Sequence, residues 1–541
     1  MKRIIFLLAY LTLSFPLFAQ VIPRTWLQPN NLKAEFGLTG IFNQGLSPNT
    51  AGCEWPIGSG NHVCFTAGLT IAAMVNDSFA MTAASYRGEW SPGYYNNGVY
   101  TTNPSFRYYS VKVGDNCSNN PDYANWGLMV PYGAPFKDVN QNGVYDCGID
   151  IPGMPNAKQT IFIVVCDGDE SQHSIGEGFG GGVLKPLLKS QLAITAWGYD
   201  YPSVNNAHFI KYEITNKSNS TWKKTFLGLY SDPDIGDATD DWGGCSPELD
   251  LSFAYNKDNN DPEYGVNPPA FGFAILRSPY VFRNGYNDTL GMTSYNLLWC
   301  NGSGGPDCQN MPNGEPLAAY RCMQGFKKDG TPVLNPLITI GTRKTKFWYS
   351  GDPETNTGWN ASYGYIPNCG GDTTMTTISH AGCGSVMMLM NTGSDSLEII
   401  PNQIIEYTIA QFVERGTSNL NSVTLLKNKV NSLKDFYNSI ANSTSISHNN
   451  EIIIKDYKLY QNYPNPFNPE TKIKFDIPKT SQVQLEVFDI SGKLIATLVN
   501  EQLNSGQYTI AFDASKLSSG VYIYRMRAGE VVYSNKMLLL K

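Results

Sequence analysis

Phe209-Ile210-Lys211-Tyr212-Glu213-Ile214-Thr215 decides the class of this chain. Apolar and polar side chains alternate through it, with Ile210, Tyr212 and Ile214 on one face, and a period of two marks a half-buried strand. The alternation returns at Glu248–Tyr255, where Leu249, Leu251, Phe253 and Tyr255 share a face, and again at Ile405, Tyr407 and Ile409. Tyr108–Val113, Thr160–Val165 and Leu192–Trp197 also read as strands. Clusters of Gly, Pro, Asn and Asp separate these pieces, as in antiparallel sandwiches and barrels. One segment keeps a different period. Val423, Leu426, Val430, Leu433, Tyr437 and Ile440 fall three and four apart, which puts all six on one stripe of a helix that Ser418 or Ser422 can cap. The expected fold is mainly β: a multi-domain antiparallel β-sandwich body with one amphipathic helix, plus a small Ig-like C-terminal β-sandwich.

Composition bounds the rest. The 541 residues suggest about three to five domains, since single cores stop growing near 250–300 residues. Hydrophobic residues make up 42%, enough to bury real cores, while charged residues reach only 16%. A formal net charge of −7 argues against a nucleic-acid partner, which needs a basic footprint. Lys2 and Arg3 precede an apolar run from Ile4 to Phe18, then Ala19 and Gln20, the layout of a secretory signal. The run is short for a membrane span of about 20 residues, so no transmembrane segment is expected once the signal is cut; a retained anchor is the competing reading. The expected order is a signal peptide at 1–19, a Gly/Asn/Tyr-rich β region at 20–157, a sandwich-like body ending in a helix at 158–440, a polar linker at 441–456 and a small β unit at 457–541.

Eleven cysteines support export: Cys53, Cys64, Cys117, Cys147, Cys166, Cys245, Cys300, Cys308, Cys322, Cys369 and Cys383. In an oxidising compartment they can pair. Nearness in sequence suggests Cys53–Cys64, Cys117–Cys147 and Cys369–Cys383, although connectivity does not follow from spacing. No CxxC is present, which disfavours a zinc ribbon or a thioredoxin-type site.

The tail carries five ordered motifs. Tyr460-Gln461-Asn462-Tyr463-Pro464-Asn465-Pro466-Phe467-Asn468-Pro469 comes first. Val487-Phe488-Asp489-Ile490-Ser491-Gly492-Lys493, Ser505-Gly506-Gln507-Tyr508 and Leu517-Ser518-Ser519-Gly520-Val521-Tyr522 follow, and Lys536-Met537 with Leu538–Lys541 end the chain. Residues 457–541 thereby resemble the type A C-terminal sorting domain of the type IX secretion system. That resemblance implies a Gram-negative bacterium of the Bacteroidetes or a related group. It also implies Sec export followed by passage across the outer membrane, with the secretion machinery as partner. In that family the tail is often removed and replaced by a surface glycolipid. The body, through Tyr212-Glu213-Ile214-Thr215-Asn216-Lys217-Ser218 and Asp232-Pro233-Asp234-Ile235-Gly236-Asp237, resembles uncharacterised cargo proteins of the same system.

Two acidic segments are candidate cation sites. Asp138-Val139-Asn140-Gln141-Asn142-Gly143-Val144-Tyr145-Asp146-Cys147-Gly148-Ile149-Asp150 places oxygen side chains at alternate positions and then a glycine, the pattern of a calcium loop. Asp138, Asn140 and Asn142 would ligate by side chain, Val144 by its carbonyl and Asp146 directly or through water. Ile149 stands where an EF-hand has Glu, so Asp150 is the expected replacement; dockerin-like or thrombospondin-like loops are the nearer resemblance. The competing reading is an Asn/Asp/Gly turn without metal. The second segment is Asp232, Asp234, Asp237, Asp240 and Asp241, five carboxylates in ten residues that repel unless a cation or basic group neutralises them. A structural cation and a solvated acidic loop are both open there, and catalytic carboxylates are a third reading.

Catalytic motifs are scarce. The five histidines form no HExxH, and no GxSxG is present. Gly176–Gly181 fits GxGxxG by spacing but lacks the strand–turn–helix context, and reads as a flexible loop. Cys383 near His380 reads as a disulfide partner rather than a nucleophile. Trp55, Trp90, Tyr94, Tyr95, Trp242, Trp348 and Trp359 stand among Gly and Asn, where rings either stack on sugars or fill a core. The expectation is therefore a secreted or surface protein, non-enzymatic, serving structure, adhesion or binding with calcium-stabilised loops and a surface glycan or protein as ligand. A secreted hydrolase of polysaccharide or protein is one alternative, and a carbohydrate-binding protein is another.

Overall fold

The computed structural model describes residues 24–45, 50–174, 178–283, 286–299, 306–338, 343–370, 375–377, 386–443, 457–462, 464–478, 480–503, 506–529 and 531–540. The expected signal peptide, Cys300, Cys383, His380 and linker residues 444–456 lie outside them. Contacts divide the chain into two units: Met1–Pro279 with Leu290–Asn442, and Tyr280–Thr289 with Ser443–Lys541.

In the first unit the alternating strand Ala207–Asn216 sits in mid-sheet, between Ser190–Gly198 and Ile404–Glu414. Its register sets Ile210 against Ile409, Tyr212 against Tyr407 and Ile214 against Ile405, so the two patterns read from sequence form one continuous apolar face. The sheet continues through Gln159–Cys166 to Tyr109–Lys112 on one side, and through Ala270–Arg277 and Leu251–Asn256 to Asp241–Ser246 on the other. A second antiparallel sheet runs Ser294–Trp299, Val386–Gly393, Trp222–Asp232, Thr66–Val75 and then short strands between residues 33 and 64. The inner faces meet in one core: Ile194, Ile210, Tyr212 and Ile409 from the first sheet, and Leu69, Ile71, Leu229, Leu297 and Met388 from the second. Regions 20–157 and 158–440, distinguished in sequence, thus contribute strands to the same two sheets. Leu249 departs from its expected strand: it ends a 3₁₀ turn, Pro247–Leu249, and the strand begins at Leu251 after Asp250 takes a left-handed φ of 58°.

Both outer faces are also covered. The helix Asn419–Ser443 lays its predicted stripe on the first sheet, against Trp197, Phe209, Phe253 and Phe412, and all six stripe residues are buried. Ser418 caps it by accepting the Asn421 amide at 3.0 Å, while Ser422 spans the Gly416 amide and the Pro268 carbonyl. Phe162, Val164 and Ala193 on the rest of that face pack under Trp126, Phe136 and Tyr145. The short helix Pro316–Met323 covers the second sheet at Ala72, Phe226 and Leu389. This double covering explains why Thr160–Val165 and Leu192–Trp197 show no regular alternation of polar and apolar side chains, since a strand buried on both sides has no solvent face to alternate with.

The second unit holds the expected small sandwich. Lys458–Leu459, Glu470–Ile477 and Gly506–Asp513 form one sheet; Leu494–Leu503, Ser481–Asp489, Gly520–Ala528 and Val531–Leu539 form the other. Ile473, Phe475, Val483, Leu485, Val487, Tyr524, Met526 and Leu539 make its own core.

Leu426 is fully buried in the seam between helix and sheet. Leu426→Ala should therefore lower the unfolding free energy of the body by about 2–5 kcal/mol, through lost transfer energy plus a residual cavity. Urea denaturation of the full chain, followed by near-ultraviolet circular dichroism, measures this. A change below about 0.5 kcal/mol, the range of ordinary surface substitutions, would mean the helix does not depend on that seam.

Candidate functional site

The first acidic segment is a hairpin loop. Phe136–Lys137 pairs with Ile151–Pro152, so Asp138 and Asp150 stand at its neck. Asp150 is 1% exposed and its carboxylate accepts the amides of Val139 at 2.8 Å and Asp146 at 2.7 Å. Asp138 accepts the amides of Asn142 and Gly143, and Asn142 Oδ1 accepts the Val144 amide. The side-chain amides of Asn140 and Asn142 both donate to Asp146 Oδ2, at 2.9 and 2.6 Å, and hold that carboxyl below its usual range. Gly143 takes φ of 78°, as the tight turn requires. The loop thus gathers the side chains of Asp138, Asn140, Asn142 and Asp146, with Asp150 beneath them. Val144 contributes its amide, and its side chain is exposed. Two anchors fix the curl: Tyr145 packs edge-on against Phe136, and a disulfide joins Cys147 to Cys117.

That bridge is one of three expected from spacing; the other two differ. Cys369 bonds Cys308, not Cys383. Cys53 and Cys64 face each other in register but remain thiols, because Cys64 Sγ turns toward the carbonyls of Thr66 and Asp232, each at 3.4 Å.

The second segment is the crossover between the large sheets. Asp232 ends a strand of one sheet and Asp241 begins a strand of the other. Tyr86 donates its hydroxyl to Asp232 at 2.5 Å, and the Ile235 amide donates to Asp241 at 2.7 Å. Asp261, outside the predicted set, belongs here: it accepts the Asp237 amide at 2.9 Å, and its carboxylate fills the space where a Cβ on Gly236 would stand. Burial and then Asp261 and Asp237 push Asp240 up to about 6. Burial, then Asp232, raises Asp234 well above a normal carboxyl. Asp241 is raised likewise, by burial ahead of Asp234 and Asp240. Among the described residues, the one group of His, Cys, Asp and Glu with three ligand atoms within 4.8 Å is Cys308, Asp329 and Cys369, whose sulfurs are spent on the disulfide.

A third cluster escaped sequence reasoning because its members lie far apart in the chain. Glu89 and His173 are 2% and 1% exposed, and the Lys185 side chain is 4% exposed. Lys185 Nζ lies 2.5 Å from Glu89 Oε1, and His173 Nδ1 lies 3.5 Å from Oε2, a longer-range ion pair. Glu89 also accepts the Ala83 and Gly182 amides, and His173 Nε2 contacts the Asp167 carbonyl at 3.0 Å. Beside them the fully buried Asp167 accepts Thr82, Tyr95 and the Ser190 amide. Burial alone would discharge both Glu89 and His173. Their mutual contact, with Lys185 on Glu89, outweighs it, lowering Glu89 and raising His173. The cluster ties His173 and Lys185 to Glu89, and Asp167 to Thr82 and Tyr95.

The aromatic residues singled out as possible sugar platforms are core rings. Trp90, Trp348 and Trp359 are at most 1% exposed, Trp55 and Tyr95 at most 8%, and Tyr94 and Trp242 are partly buried against core clusters.

In the tail the first motif folds back as a clasp. Asn462 is buried, donating to Pro464 O and Thr471 Oγ1, and its own amide donates to the Tyr524 hydroxyl at 2.7 Å. Tyr524 in turn donates to the Tyr460 carbonyl. Phe467 is buried and exchanges backbone hydrogen bonds with Leu538 and Leu540 of the final residues, while Pro464, Asn465 and Pro466 stay exposed.

Residues 461–540 match the secretion system C-terminal sorting domain family. The C-terminal sandwich is thus a sorting domain of the type IX secretion system. The protein is a cargo of that system, secreted or displayed at the cell surface. No helix among the described residues is long and apolar enough to cross a membrane. No curated protein matches the chain. Among solved structures, a polysaccharide lyase aligns with 65% of this chain and 34% of its own, at 7% identity and a TM-score of 0.15. The adhesin domain of Epf from Streptococcus pyogenes aligns with 64% and 79%, at 8% identity and a TM-score of 0.13. This chain therefore spans about a third of the lyase, and neither likeness carries an argument about fold or activity.

Two predictions follow from these geometries. With its folded value raised above 6.5, His173 contributes stability that is complete below pH 6.5 and is lost as pH rises through the raised value. The urea midpoint should fall across that interval and His173→Gln should flatten the fall; an identical slope in the variant would remove the role given to His173. In the tail, Asn462→Ala strands a buried amide network, at a cost of about 1–3 kcal/mol. Thermal unfolding of the full chain should show the tail transition moving down while the body transition holds.

Proposed function

We propose that this chain is a non-enzymatic cell-surface or secreted β protein whose body serves structure, adhesion or binding, with calcium stiffening the 138–150 loop. The observation that carries the reading is the loop itself. Asp138, Asn140, Asn142 and Asp146 gather at the mouth of a hairpin whose base is tied by Asp150, Tyr145 and the Cys117–Cys147 bridge. A hard cation takes oxygen ligands only, and side chains already converging need little rearrangement to supply them. The buried Glu89–His173–Lys185 cluster supports the non-enzymatic part, because those charges hold a loop in place and are closed to solvent. The Asp138–Asp150 loop is a surface feature, so its affinity would sit in the weak extracellular range of about 10⁻⁴–10⁻³ M. The ligand, a surface glycan or protein, would meet the body through its exposed loops.

Calcium at about a hundred times its dissociation constant should stabilise the body by about 2.7 kcal/mol. Calorimetry of the full chain should show the body transition dropping when chelator is added, and Asp138→Ala should erase most of that drop. An equal transition with and without chelator would end the calcium reading. Glycan-array binding alongside a glycosidase and protease screen separates a binder from the hydrolase alternative, since turnover of any polymer would overturn the non-enzymatic part.

A further inference from the structure

The crossover between the two large sheets collects negative charge without supplying its counterpart. Asp241 and Asp261 are 2% and 1% exposed, and Asn256 is fully buried. Among the described residues, Asp234, Asp237, Asp240, Asp241 and Asp261 have no Lys, Arg or His within 4.0 Å. Backbone amides satisfy part of the set: Ile235 donates to Asp241 Oδ2, Thr239 to Asp237, and Glu263 and Tyr264 to Asp261. What remains is a group of buried acceptors. Among the described residues, Asp234 Oδ1, Asp240 Oδ1 and Asp241 Oδ1 have no hydrogen-bond partner, and neither does Asn256 Oδ1.

Asn256 is the independent observation. It is not acidic, it is the register partner of Asp241 across the strand pair, and its amide nitrogen donates to Asp240 Oδ2 at 3.2 Å. Its side chain is therefore aimed into the same space as the carboxylates, with its own oxygen unpaired. Buried acceptors left unmade are costly, and a buried carboxylate more so. The donor set is oxygen throughout, with no imidazole, which suits a hard cation and not a zinc-type ion.

We propose that this crossover binds one divalent cation of the calcium class, held by Asp234, Asp240, Asp241 and the Asn256 side-chain oxygen, with backbone carbonyls and water completing the shell. The like-charged carboxylates stand too far apart for three of them to meet within 4.8 Å in this arrangement. The cation draws them inward and so ties the end of strand Trp222–Asp232 to the start of strand Asp241–Ser246. The site is separate from the 138–150 loop, and either can exist without the other.

The test uses the full chain and terbium as the calcium surrogate, with Trp242, the neighbour of Asp241, as the sensitising ring. Wild type should show saturable tryptophan-sensitised emission that calcium displaces. Asp241→Asn and Asn256→Ala should each weaken that binding at least tenfold, and Asp138→Ala should leave it in place. Asp240→Asn, at a more exposed carboxyl, covers the case in which a buried variant fails to fold, and should show the same loss with an unchanged near-ultraviolet spectrum. Emission unaltered in folded Asp240→Asn and Asp241→Asn protein, or abolished by Asp138→Ala alone, would overturn the proposal. So would the absence of any saturable signal up to ~10 mM, beyond the weak extracellular range.

Discussion

The face shared by Ile210, Tyr212 and Ile214 with Ile409, Tyr407 and Ile405 is the constraint on which the body depends. A one-residue slip would turn every one of these side chains from the inter-sheet core to the opposite face. The slip is opposed from the other side as well, because Phe209 on that opposite face stacks on Trp197 at 5.6 Å beneath the helix. Each strand is thus fixed by two different packings at once.

Covering both faces of both sheets restricts where charge can sit. A strand interior with no solvent face must either exclude ionisable groups or satisfy them fully. Glu89, His173, Lys185 and Asp167 follow the second course: every one has a partner of opposite charge or a hydrogen-bond donor within reach. The crossover at 232–241 does not follow it. There Asp241 accepts the Ile235 amide on one oxygen and, among the described residues, has no hydrogen-bond partner on the other. The contrast lies within one molecule: Glu89 is paired with Lys185 and His173, whereas Asp234, Asp240 and Asp241 have no cationic side chain within 4.0 Å among the described residues.

What the sequence made legible was what depends on nearest neighbours. The three–four spacing from Val423 to Ile440 specified a helix and its buried stripe, because a stripe needs no knowledge of its partner. The alternation at Phe209–Thr215 specified a strand and its inner face. The partner strand, almost two hundred residues away, was beyond reach, and so was the interleaving of residues 20–157 with the later body. Spacing misled for Cys369, since loop closure grows only slowly with length and a distant cysteine is nearly as accessible as a near one. It left Trp90, Trp348 and Trp359 open between sugar stacking and core filling, because glycine neighbours describe the backbone, whereas burial is decided by what packs from elsewhere. In the 138–150 loop the oxygen spacing was readable, whereas the use of the Asp150 carboxylate to accept the Val139 and Asp146 amides was not. Asp261 and Asn256 were not readable as members of the crossover, because a cross-strand pair and a following turn bring them there.

The tail obeys a different logic from the body, and its first motif shows why. Asn462 and Phe467 are buried, and their bonds to Tyr524, Thr471, Leu538 and Leu540 tie the entry of the domain to its last strand. Pro464, Asn465 and Pro466 between them remain exposed. A single short stretch therefore closes the sandwich on itself, through buried Asn462 and Phe467 and through the Pro464 carbonyl and the Asn465 side chain, which accepts the Leu538 amide, while Pro464, Asn465 and Pro466 also form surface at the point of closure. Only the exposed residues of the motif are open to a partner. Loss of Asn462 or Phe467 would act indirectly, by loosening the entry strand, so the same motif can fail through stability or through recognition.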